Sequence, residues 1–304
     1  LGKIAFVFSG QGAQVPGMGK DLQEISKAAR EVFERADQVR PGTTRQCFEG
    51  SREELGETIN TQPCVFAVDL AAARAVEERG IHPDCVAGFS LGEIAAVGFS
   101  GMLTDQQAFE LVCARAKLME EAAQNNKGAM AAVLKLDSAQ VEKLCESYEH
   151  AWPVNYNCPK QTVAAASIQV IDSLCADVKQ AGGKAVKLAV SGAFHSPYME
   201  SAADGLEQYL RDIPLNQPQI PVYANATALP YGENGKELLC RQCKSPVLWQ
   251  KTIENMVADG VDTFIEVGVG KTLTGLIKKT APEAQAFKVE NKEDLDAVAA
   301  ALGV

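Results

Sequence analysis

The segment from Val86 to Gly98 reads VAGFSLGEIAAVG: a short apolar strand, a serine between two glycines, then an apolar helix. A serine at the apex of such a turn can act as a nucleophile, because Gly88 and Gly92 remove side chains that a strained turn and a close-packed helix would strike. Two readings follow for Gly88-Phe89-Ser90-Leu91-Gly92, a reactive Ser90 or an ordinary tight turn. A base and an oxyanion site decide between them.

A serine hydroxyl needs a neighbouring base, most often histidine, and the chain has three. His82 precedes the strand whose far end carries Ser90, which at about 3.3 Å per residue puts them roughly 20 Å apart. His150 falls in the connection YEHAWP and reads as a solvated loop residue. His195 remains, in SGAFHSPYM, where Ser196 and Pro197 suit the cap and first position of a helix. A packed core histidine is the alternative reading; elimination of the other two favours catalysis.

An oxyanion site needs two donors. The N–H of Leu91, directly after Ser90 and at a helix N-terminus, suits one. The glycine-rich SGQGAQ that follows the run IAFVF suits the other, with Gln11 as the donor and Gly10 and Gly12 permitting close approach. Arg115 is the remaining residue of interest. Its neighbours at three and four residues are Leu111, Val112, Leu118 and Met119, so a guanidinium falls within the apolar face of a helix expected over Asp105 to Ala123. Such a charge needs a partner, and the planar fork matches a carboxylate. The pattern alone favours an internal Asp or Glu over a substrate carboxylate.

The elements that must position these groups alternate strand and helix: a strand at Ile4 to Phe8, helices over Asp21 to Val39 and Pro63 to Arg79, then the strand CVAGF. A mostly parallel sheet with helices on both faces follows. From Asn126 to Ser191 the order becomes strand-helix-strand-strand-helix-strand, that of a ferredoxin-like unit. Its parts are GAMAAVLKL, a helix capped by Ser138, two strands around a Pro-Lys turn, a helix stopped by glycines, and KAVKLAV. The expected division is a large α/β domain of residues 1–125 and 192–304 with a subdomain of residues 126–191 inserted.

Composition narrows the function classes. With 29 Lys+Arg against 39 Asp+Glu the net charge is −10, which argues against nonspecific binding to nucleic acid or an anionic membrane. Nine cysteines in 304 residues, an odd number, suit a reducing cytoplasm better than a secreted disulfide framework. The N-terminal KIAFVFSGQG carries too short an apolar run for a signal peptide, and no stretch has the length of a membrane span. Cys240 and Cys243 have zinc-like spacing without a second pair, so structural thiols are expected and no metal. A dinucleotide fingerprint would need glycine at Val15 and a phosphate loop would need it at Ile265; neither pattern is complete.

Taken together these residues resemble the malonyl-CoA:acyl carrier protein transacylases of fatty acid synthesis and the acyltransferase domains of polyketide synthases. The similarity runs through FSGQGAQ with GMG close behind, TQP at Thr61 to Pro63, GFSLGE, RAKLM from Arg115, GAFHSP, PVLW from Pro246 and FIEVGVGKTLTGL. The resemblance implies an α/β-hydrolase-like large domain with a ferredoxin-like small one. It implies Ser90 as nucleophile, His195 as base, Gln11 and Leu91 as oxyanion donors, and Arg115 as the clamp on the malonyl carboxylate, which reverses the internal-partner preference. It further implies that a main-chain carbonyl in the PVxW loop, at Leu248, orients the histidine without a triad carboxylate. Ala193 and Phe194 before the histidine go with malonyl choice in related polyketide enzymes, with Phe194 leaving little room for an α-methyl branch.

The chain departs from the family pattern at Phe89 and Ile94, where many members have His and Tyr, and at Lys160 and the VAAAS run of the small domain. Malonyl-CoA and an acyl carrier protein are the implied partners, the phosphopantetheine being carried by the latter, with no cofactor of the enzyme's own. A cytoplasmic monomer is expected. An acidic carrier would meet a positive patch, for which Lys184, Lys187, Lys278 and Lys279 are candidates. The alternatives are a serine thioesterase or esterase, a trans-acting polyketide acyltransferase, and a noncatalytic carrier-binding module.

Overall fold

The computed structural model describes residues 2–304. β1 (Lys3–Phe8) leads through the SGQGAQ loop to α1 (Lys20–Ile25), α2 (Lys27–Val39), α3 (Thr43–Glu49), α4 (Arg52–Gly56) and the long α5 (Thr58–Glu78). β2 (Cys85–Gly88), α6 (Leu91–Phe99) and α7 (Asp105–Asn125) complete the first half. The chain then forms β3 (Gly128–Leu134), α8 (Ser138–Glu146), β4 (Ala151–Cys158), β5 (Gln161–Ser167), α9 (Ile171–Gln180) and β6 (Lys184–Lys187). It returns with α10 (Glu200–Leu210), β7 (Val222–Tyr223), α11 (Gly235–Arg241), α12 (Trp249–Ala258), β8 (Val261–Val267), α13 (Thr272–Thr280), β9 (Gln285–Val289) and α14 (Lys292–Leu302).

Two sheets result. The larger has the order β7-β2-β1-β8-β9 and every pairing in it is parallel. β1 is buried on both faces, as crossover helices require: Phe6 and Phe8 point into a core shared with Phe99, while Ala5 and Val7 face Trp249 and Phe264. The smaller sheet, order β4-β5-β3-β6, is antiparallel throughout, and α8 and α9 cover it. That order is the one a ferredoxin-like unit produces. The carboxyl ends of β1 and β2, adjacent at the centre of the large sheet, release the glycine-rich loop and the Ser90 turn side by side.

Several elements differ from the sequence reading for local reasons. The helix expected over Asp21 to Val39 breaks at Ser26, whose extended backbone lets its hydroxyl cap Ala29 N. The helix expected from Pro63 begins at Thr58, with Pro63 inside it at the loss of one intrahelical hydrogen bond. α8 is capped by Asp137 in a reciprocal pair with Gln140, and Ser138 is its first residue. KAVKLAV pairs only over Lys184–Lys187, and the residues after it line the cleft between the two sheets.

Candidate active site

Ser90 sits between β2 and α6 with φ 55°, a left-handed conformation rare for a residue with a side chain. The flanking glycines make this turn possible. A Cβ on Gly88 would lie 2.0 Å from the Gly92 backbone, and one on Gly92 would lie 2.3 Å from Phe8 O. The turn is held from outside by Asn225, which accepts from Ser90 N at 2.8 Å and donates to Gly88 O at 2.6 Å. Among the described residues the N–H groups of Leu91 and Gln11 find no protein acceptor, and both residues line the cleft beside Ser90.

His195 is the histidine that reaches this turn. Its Nε2 lies 2.7 Å from Ser90 Oγ and its Nδ1 2.9 Å from Gln242 O. A carbonyl only accepts, so Nδ1 carries the proton and Nε2 presents a lone pair to the serine. Burial, with Arg115 as the second cause, lowers the His195 pKa to about 4, so the free imidazole is neutral at pH 7. His82 is exposed beside Glu77, and His150 is exposed at the small sheet against Trp152 and Tyr198. Ser196 and Pro197 do cap and open the 3₁₀ turn Pro197–Met199.

The carbonyl that orients His195 corrects the expectation placed on Leu248. Leu248 is the cap of α12, and its carbonyl accepts both Thr252 N and Thr252 Oγ1. Gln242 instead opens the short 3₁₀ turn Gln242–Lys244, whose carbonyls take His195 Nδ1 and, from Cys243, His195 N. The Gln242 side chain does further work: Nε2 lies 2.7 Å from Glu93 Oε2 and 2.8 Å from Ser90 O, and Oε1 accepts from Arg115.

Arg115 is 1% exposed. Nη1 donates to Gln62 Oε1 at 2.7 Å, Nη2 to Gln242 Oε1 at 2.8 Å and to Ser90 Oγ at 3.3 Å, while Nε is buried without a partner. Its hydrogen-bond partners are neutral oxygens, and among the described residues no carboxylate pairs with it. The internal Asp or Glu that the helix pattern favours is therefore absent. Glu93, fully buried, is the carboxyl behind it; it accepts from Tyr231 OH, Asn225 N and Gln242 Nε2, and burial lifts its pKa to about 7.

The cleft gathers Gln11, Ser90, Leu91, Arg115, Phe194 and His195 in one space. Met119, Met130, Leu188 and Val190 supply its apolar wall, and Asn155 faces it from β4 with Oδ1 buried and unpartnered. Of the candidate docking lysines, Lys184 and Lys187 lie on β6 just before Leu188, with Lys187 paired to Asp172. Lys278 and Lys279 lie in the last turn of α13, which leads away from the carboxyl ends of the strands. Gln242, Asn225 and Asn155 carried no sequence signal of their own; Gln62 and Glu93 stood inside TQP and GFSLGE without an assigned part.

The pattern of the acyl transferase domain family matches residues 5–295. The malonyl CoA-acyl carrier protein transacylase of Bacillus subtilis is 37% identical over 304 residues, covering 97% of this chain and 96% of the relative. The chain belongs to the acyl transferase family of malonyl-CoA:acyl carrier protein transacylases. The transacylase of Haemophilus influenzae is likewise 37% identical, over 97% of this chain and 98% of its own. The crystal structure of the Clostridium perfringens transacylase superposes on this acyltransferase with a TM-score of 0.95 at 35% identity, covering 99% of this chain and 97% of that one. A malonyl-transacylase solved in complex with a type II polyketide acyl-carrier protein superposes with a TM-score of 0.94 at 34% identity, over 99% of this chain and 100% of that one. No helix among the described residues is long and apolar enough to cross a membrane.

Proposed function

We propose that this acyltransferase moves the malonyl group of malonyl-CoA to the phosphopantetheine thiol of an acyl carrier protein through a malonyl ester on Ser90. The observation that carries this reading is the buried Arg115, unpaired by any carboxylate among the described residues and 3.3 Å from Ser90 Oγ. A substrate that brings its own carboxylate completes that fork.

His195 Nε2 takes the Ser90 proton as Oγ attacks the thioester carbonyl, and the Gln242 carbonyl steadies the imidazolium through Nδ1. The oxyanion forms between the N–H groups of Leu91 and Gln11, and the helix dipole of α6 adds to the first. Collapse expels the CoA thiolate, which takes the proton back from His195. The carrier's thiol then attacks the Ser90 ester by the same steps in reverse. This chemistry calls on side chains and main-chain N–H and carbonyl groups of this chain. Every residue it uses lies in one chain, which supports a monomer as the working unit, and nine free cysteines support a reducing cytoplasm.

A covalent intermediate dictates ping-pong kinetics. Initial velocities measured against malonyl-CoA at several carrier-protein concentrations should give parallel double-reciprocal lines. Intersecting lines would contradict the malonyl-serine route, and release of malonate to water without transfer would favour a thioesterase.

A further inference from the structure

α5 is almost wholly buried and mostly apolar, yet Thr58, Gln62 and Asp69 on it are buried polar residues. At 100° per residue, steps of four and seven place all three within about 40° of one another, a single stripe running some 16 Å along the helix. Each one touches a part of the site described above. Gln62 holds Arg115, and Thr58 Oγ1 stands 3.5 Å from Gln11 Nε2. Asp69 Oδ1 accepts from Ser9 Oγ at 2.6 Å. The loop that carries the Gln11 N–H is thus tied to the same helix at two points near its start, at Ser9 through a short hydrogen bond and at Gln11 through a longer one.

Asp69 is an expensive residue to keep there. It is fully buried, its Oδ2 has no hydrogen-bond partner, and no cation pairs with it among the described residues. Burial raises its pKa well above the usual carboxylate range, with Glu266 adding to the effect and the Ser9 bond opposing it, which favours the neutral acid. An apolar side chain would avoid the desolvation entirely. The carboxyl also fills space that another residue leaves for it: a Cβ on Gly268, where φ is +116°, would lie 1.9 Å from Asp69 Oδ1. Asp69 therefore wedges between the loops that leave β1 and β8, neighbours in the large sheet.

We propose that Asp69 is a positioning residue for acyl transfer: by holding Ser9 at the exit of β1, it sets where the Gln11 N–H points when the oxyanion forms. The inference rests on the reading of Gln11 as an oxyanion donor. Ser9 and Asp69 touch neither substrate nor the reacting atoms, so their effect passes through the loop.

The test is single-turnover acylation of Ser90 by malonyl-CoA, followed by intact mass, for Ser9→Ala, Asp69→Ala, their double mutant and Asp69→Asn, with melting temperatures read alongside. A displaced donor should slow acylation by about 10- to 100-fold in each single alanine variant, with the half-saturating malonyl-CoA concentration changed by no more than about threefold. The double mutant should be no slower than the slower single. Asp69→Asn keeps an oxygen for Ser9 in the same shape and should stay within about threefold of wild type. If Asp69→Ala does not fold, Ser9→Ala, which removes one oxygen atom, carries the same prediction. Wild-type acylation rates in Ser9→Ala, or rates that fall only in proportion to lost folded protein, would overturn the positioning role alone. A wild-type protein that never acquires a malonyl group would overturn the acyl-transfer reading and this inference with it.

Discussion

The Arg115 guanidinium stands 3.3 Å from Ser90 Oγ with its fork held by the neutral side-chain oxygens of Gln62 and Gln242. Two amides position the charge without neutralising it, which leaves its electrostatic demand for an incoming carboxylate. Arg115→Ala should lower kcat/KM for malonyl-CoA by about 100- to 1,000-fold, the size expected when one partner of a buried charge pair is lost, while acetyl-CoA changes little. Kinetics with both thioesters check it. An equal loss for both would mean that Arg115 supports the fold rather than reading the acid.

The acid limb of the pH profile follows from His195. In the proposed mechanism the base is the neutral imidazole, and burial followed by Arg115 brings its pKa from the ordinary 6.5 down to about 4. Protonation, and with it loss of the base, is thereby deferred to lower pH. kcat/KM for malonyl-CoA, which reports the free enzyme, should stay level from pH 7 to pH 5 and bend near 4. In Arg115→Ala the second cause is gone, so the bend should move towards 6.5 without reaching it, because burial persists. A wild-type bend at 6.5, the ordinary imidazole value, would contradict the lowering by burial and Arg115.

Two glycine substitutions should act in opposite directions. Gly88→Ala forces a Cβ to 2.0 Å from the Gly92 backbone, which has no flexible end to yield, and should destabilise by about 3 kcal/mol or more. Gly275→Ala, at an exposed position of α13 with nothing within 4 Å, should stabilise by about 0.5–1 kcal/mol. Denaturant midpoints of the two variants check both signs.

Phe194 is 5% exposed and closes the cleft beside His195. Phe194→Ala should raise the ratio of methylmalonyl-CoA to malonyl-CoA turnover by about tenfold, the usual worth of a methyl-sized space in an apolar pocket. Competition assays with both thioesters measure that ratio directly, and an unchanged ratio would remove Phe194 from acyl selection.

The groups nearest the chemistry were legible because their signals are local. Gly88, Ser90 and Gly92 announce a strained turn within five residues, Leu91 follows from the helix start, and His195 follows from a short inventory of bases. Arg115 was legible as an anomaly, a cation on an apolar face, although its surroundings were not: Gln62 and Gln242 lie 53 and 127 residues away in sequence. Gln242 is a polar residue in a short turn with no period to betray it, and its importance arises only when the chain brings its carbonyl under His195. The error at Leu248 has the same root, since a carbonyl's availability depends on whether a helix has already claimed it. In the fold, apolar runs and turn residues marked both sheets. The break at Ser26 and the early end of β6 depend on capping and on the cleft, which no periodicity records.

The most direct test of the account is intact-protein mass spectrometry after brief exposure to malonyl-CoA and, separately, acetyl-CoA, for wild type and Ser90→Ala, followed by addition of a phosphopantetheinylated carrier protein. Wild type should gain one malonyl group, gain little acetyl, and pass the malonyl to the carrier, while Ser90→Ala gains nothing. A malonyl adduct that persists in Ser90→Ala, or a wild-type adduct that the carrier never receives, would contradict acyl transfer through this serine.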